Sequence, residues 1–172
     1  MEILTKILDF LEEIEIAYSL EQIDGSTFLP GLKLREGRLV IDVDKLTYPG
    51  DILHEAGHLA TLPPDIRVMM SDDLGNDQIH QGGELMAIAW SYAVCTHLKI
   101  DPYLVFHEKG YKGGGQSIVE NFNEGKYFGV PLMEWYGMTY TQKRALELGT
   151  QPFPAMITWI CKTKETSFHE ST

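Results

Sequence analysis

Hydrophobic and polar positions divide the chain into stretches of different period. Ile3, Leu4, Ile7, Leu8, Leu11 and Ile14 recur at helical spacing with acids mostly opposite, which predicts an amphipathic helix over 2–17. Asp24-Gly25-Ser26 and Pro30 are turn signals, so 18–30 reads as a loop. The stretches 32–34 and 39–43 are apolar, partly alternating and joined through Glu36-Gly37, the pattern of a β-hairpin. Ile52, Leu53, Ala56, Leu59 and Ala60 then return to helical spacing. Pro49 and Asp51 suit the start of that helix, and Leu62-Pro63-Pro64 stops it. A second helix is expected over 79–99, apolar almost all round from Leu85 to Leu98 and therefore buried.

The remainder is less regular. Residues 62–78 and 101–116 read as connections, the second containing Gly113-Gly114-Gly115 without the G-K-[ST] of a phosphate loop. Short helices are expected around 117–124, 131–148 and 153–161, and 163–172 reads as a frayed polar tail. With no internal repeat, the 172 residues read as one α+β domain, mostly helical, with a small antiparallel β-hairpin before the helix at 51–61.

That helix carries the chemistry. His54-Glu55-Ala56-Gly57-His58 is H-E-x-x-H, which sets two imidazoles four residues apart on one helical face, within reach of one metal ion. Glu55 points about a third of a turn away, suited to face a water on that ion rather than to ligate it. A catalytic zinc site needs a third protein ligand and an open position. Glu84 is the leading candidate: a carboxylate at the head of an apolar helix needs a cation or a proton if it is buried. It also suits the positive end of a helix beginning there. His80, Asp77 and Asp73 are the alternatives, and an aspartate of 72–77 could orient a zinc-bound histidine. The extended H-E-x-x-H-x-x-G-x-x-H motif is excluded by Thr61 and Pro64. A cysteine ligand upstream of the motif is excluded because the first cysteine is Cys95.

An HEAGH helix followed some two dozen residues later by a glutamate heading an apolar helix resembles the gluzincin branch of the zincin-like metallopeptidases. The preceding hairpin makes it most similar to the minimal ImmA/IrrE-type proteins, over about residues 31–99. The chain departs from the thermolysin-like E-x-x-x-D pattern at Ile88, and Glu84-Leu85-Met86-Ala87-Ile88-Ala89 is not the ImmA-type E-A-N-x-F-A. The resemblance implies a zincin-like fold and a metallopeptidase. One Zn2+ per chain would be held by His54, His58 and Glu84, and Glu55 would activate a zinc-bound water against a peptide carbonyl. The strand around 38–43 could align an extended substrate by edge pairing. His107, Tyr111, Tyr136 and Tyr140 are candidate oxyanion donors. A non-catalytic zinc-binding or regulatory protein on the same scaffold accounts for the same ligands.

Charge narrows the partners. A net charge of −11 without a basic patch argues against nucleic acid and anionic membranes; a peptide or protein substrate is what the resemblance implies. Residues 1–18 hold five acids and do not read as a signal peptide. Cys95 and Cys161 are expected as buried, reduced thiols. Together these suggest a cytoplasmic protein.

Overall fold

A computed structural model describes residues 2–72 and 81–164, Gln81 by its backbone alone. Helix α1 (Glu2–Glu13) buries Ile7, Phe10 and Leu11 and leads into strand β1 (Tyr18–Leu20). Strands β2 (Leu32–Arg35) and β3 (Arg38–Ile41) form the expected hairpin. Its two-residue turn places Glu36 at φ 49° and Gly37 at φ 73°, the double left-handed geometry that matches strand twist. Helices α2 (Asp51–Thr61), α3 (Pro64–Arg67) and α4 (Gln81–Leu98) follow. After two 3-10 turns at Pro102–Leu104 and Tyr111–Gly113 come α5 (Gly115–Asn123), α6 (Val130–Trp135) and α7 (Gln142–Leu148).

The α+β class holds, but the sheet is mixed rather than antiparallel. Its order is β1-β3-β2, with β1 parallel and β2 antiparallel to β3. β1 falls in the stretch expected to be a loop; three residues pairing with a distant parallel partner leave no local hairpin signal. β3 is consequently the central strand, paired on both sides, and cannot offer an edge to a peptide. The outward N–H groups of β2 are also engaged. Leu32 N donates to Leu29 O, Leu34 N to Asp72 Oδ2 at 3.1 Å, and Glu36 N to Ser71 Oγ at 2.7 Å.

The central packing is α2 against α4, the most extensive contact between elements, with α2 also meeting β2, β3 and α1. Ile52, Leu53, Ala56, Leu59 and Ala60 of α2 are fully buried, as are Ala87, Ala89, Trp90, Ala93, Val94 and Cys95 of α4. The helices approach closely at Gly57. A Cβ there would lie 3.0 Å from Ala87 O and 3.2 Å from Trp90 Cε3. Trp90 is wholly buried beside Phe10 and Trp159, and its Nε1–H donates to Trp159 O at 2.8 Å.

Later boundaries shift for identifiable reasons. The helix expected over 131–148 divides into α6 and α7. Gly137 (φ 71°) breaks it, and Thr141 caps α7 by accepting from Arg144 N. The helix expected over 153–161 is absent. Pro152 and Pro154 remove donors from the segment, and its backbone is used elsewhere: Cys161 N donates to Ala60 O at 2.7 Å. Arg67 completes this junction, donating to Leu59 O, Leu62 O and Cys161 O. These bonds satisfy carbonyls that the end of α2 would leave open. Thr163, the first residue of the expected tail, donates through its hydroxyl to Tyr136 O; residues 165–172 lie outside the described part. Both cysteines are buried and unbridged. Among the described residues no helix is long and apolar enough to cross a membrane.

Candidate metal centre

Three side chains from two helices converge. His54 and His58 lie one turn apart on α2, and Glu84 comes from the first turn of α4. His54 Nε2 and His58 Nε2 are 3.1 Å apart, and Glu84 Oε2 lies 3.5 Å from the first and 3.1 Å from the second. Four ligands at zinc's usual bond lengths in a tetrahedron stand about 3.3 Å from one another. The three donor atoms therefore already have the mutual spacing of one face of such a tetrahedron. His/His/Glu is a donor set that accepts a borderline divalent cation, and the cluster could hold a metal ion.

The two carboxyls at the cluster are shifted in opposite directions. Burial opposes ionisation of Glu84, but hydrogen bonds and charge from His54 and His58 outweigh it and hold the carboxyl well below the usual range. The imidazoles are shielded, with 14 % and 6 % of their side chains exposed, whereas Glu84 keeps 43 % exposed. The cluster thus meets solvent on the Glu84 side. Glu55, on the same helix, is half-buried. Desolvation pushes its carboxyl up to about 7, with His58 opposing and the charges of Asp72, Glu84 and Asp51 adding to the rise. A carboxyl near neutrality is suited to exchange protons at ordinary pH.

The segment after α4 closes one flank. Tyr111 OH lies 2.8 Å from His54 Nδ1, with the two rings perpendicular. Burial, then the charges of Glu84, Asp51 and Glu55, keeps this phenol well above its ordinary value of 10 and so neutral. His107 Nε2–H donates to Asp51 Oδ1 at 2.8 Å, and its ring stacks on Tyr48 with centroids 3.8 Å apart. Asp51 is buried in the first turn of α2, where the helix dipole favours an anion.

The candidates from sequence therefore separate. His54, His58 and Glu84 are brought together. Asp72, considered as a partner for a histidine, accepts from Leu34 N. His80, Asp77 and Asp73 lie outside the described residues. Of the four oxyanion candidates, His107 is engaged by Asp51 and Tyr111 by His54. Tyr136 packs on the core, and Tyr140 is half-buried. The contacts of Tyr111 with His54 and of His107 with Asp51 join residues 57 and 56 positions apart, and nothing in the local sequence announces them. No protein-family model matches the chain, and no curated protein or solved structure matches it either.

Proposed function

We propose that this chain is a zinc-dependent hydrolase of the zincin-like, H-E-x-x-H kind, a metallopeptidase acting on a peptide or protein. The observation that carries the reading is the donor spacing of 3.1, 3.1 and 3.5 Å among His54, His58 and Glu84, with Glu55 on the intervening turn. When bound, zinc lowers the pKa of a coordinated water and polarises a substrate carbonyl.

The protein side of the reaction belongs to Glu55. Its carboxylate takes the proton of the attacking water and, once protonated, delivers it to the leaving amine. An ordinary exposed carboxylate would be a weaker base; in the metal-free protein burial raises this one to about 7. Glu84 supplies the negative charge that a divalent ion between two neutral imidazoles requires, and its partial exposure leaves a side from which substrate can enter.

The test begins with metal content. Purified protein supplied with zinc should hold about one equivalent, and His54→Ala and Glu84→Ala should each lose it. Glu55→Gln should keep the metal while hydrolysis of a fluorogenic peptide mixture falls by at least about 100-fold. Stoichiometric zinc with no hydrolysis of any peptide in wild type would instead favour a non-catalytic zinc-binding role. Absence of zinc in wild type would refute both.

A further inference from the structure

His54 uses only one of its two ring nitrogens at the cluster. Nε2 faces His58 and Glu84, while Nδ1 faces the Tyr111 hydroxyl at 2.8 Å. A neutral imidazole carries a single N–H, so a nitrogen that binds a cation must be bare and the proton must sit on the other. In that state Nδ1–H donates and the Tyr111 oxygen accepts.

The backbone around Tyr111 is arranged at a cost. Tyr111 and Lys112 both have φ of 53°, a region that a bulky residue rarely adopts and that persists only where the surroundings impose it. Those surroundings are visible. The Phe106 ring packs on Tyr111 at 5.2 Å. His107, four residues before Tyr111, is fastened to α2 through Asp51 and stacked on Tyr48. A Cβ at Gly115 would lie 2.3 Å from Phe106 O, so the chain closes tightly behind the loop. The segment is clamped at the first turn of α2, one turn before His54, and its strained residue delivers a hydroxyl to that histidine.

We infer that Tyr111 is a positioning residue of the metal centre: by accepting the Nδ1–H of His54 it fixes the tautomer and ring orientation that leave Nε2 bare toward the cation, with the Tyr48–His107–Asp51 contacts holding the loop that carries it. The inference rests on the metal reading above. It assigns Tyr111 a role distinct from oxyanion stabilisation. The partner it gives His54 is a neutral hydroxyl rather than a carboxylate, so no additional negative charge reaches the centre through this histidine.

Zinc affinity measured by chelator competition tests it. Tyr111→Phe keeps the ring and removes the acceptor, and it should weaken zinc binding by roughly 10- to 100-fold. In zinc-loaded wild type, nitrogen-resolved NMR should show His54 protonated at Nδ1, a readout that needs no variant. Unchanged affinity in Tyr111→Phe, or a His54 Nδ1 without its proton, would each overturn the role while leaving the metal centre standing. A wild type that takes up no zinc would remove the metal reading and this inference together.

Discussion

At the scale of single residues, the legible part of the site is the part whose geometry is local. His54, Glu55 and His58 lie within five positions of one helix, and helical period alone sets two imidazoles on one face. Glu84 is reached from sequence by a charge argument, and the fold places its carboxylate against both histidines. Tyr111 is legible in the sequence only as one of four candidate oxyanion donors; its contact with His54 depends on how its segment crosses α2. The charge argument makes a sharper prediction for Glu84. Glu84→Gln preserves size and hydrogen-bonding shape but removes the anion, so zinc affinity should fall by at least about tenfold with little change in the metal-free fold. Isothermal titration of zinc into both proteins checks this; equal affinities would mean that Glu84 is not a ligand.

At the scale of elements, helix ends explain much of what the sequence conceals. In α1, Ile16 N donates to Leu11 O and Glu15 N to Glu12 O, with Glu15 at φ 62°. This paired closure requires a left-handed residue just past the helix, a place usually taken by glycine. The same closure ends α4 at Lys99 (φ 54°) and α7 at Gly149 (φ 65°). Only the last advertises itself in the sequence, so apolar spacing through Ile14 extended the expectation for α1 to residue 17. Replacing Glu15 or Lys99 by glycine should therefore raise the unfolding free energy by up to about 1 kcal/mol each, read from urea melts. A loss of stability would show that the side chain, not the backbone, governs these ends. The opposite substitution is expected to harm the helix pair beneath the site. Gly57→Ala favours helix by about 1 kcal/mol locally, yet its methyl meets the Ala87 backbone and the buried Trp90 ring. The net cost should be about 1–2 kcal/mol, with weakened zinc binding, because α2 and α4 each carry ligands. Wild-type melts and affinity would show that the two helices can part freely.

At the scale of the molecule, the site sits where the main burial occurs, and that couples its chemistry to stability. The broad division into a small sheet and a buried helix pair was legible because long periodic stretches set it. β1 and the irregular segment after Pro152 were not, because distant backbone partners decide them. Half-burying Glu55 beside this core has a measurable consequence in the metal-free protein. Its carboxyl titrates at about 7 when folded, against an ordinary 4.5. Between these values the unfolded chain releases a proton that the folded chain retains, so stability falls as pH rises from about 4.5 to about 7 and then levels off. The gap corresponds to about 3 kcal/mol at most. Glu84 does not obscure this window. Its carboxyl is depressed, so its contribution is constant above the unfolded value and is lost only in more acidic solution. Urea melts of chelator-treated wild type at pH 5 and pH 8 should differ by about 2–3 kcal/mol more than those of Glu55→Gln, with the variant the more stable at pH 8. Parallel pH slopes in the two proteins would mean that Glu55 ionises normally, and that the burial invoked for its role as base is not felt by the carboxyl.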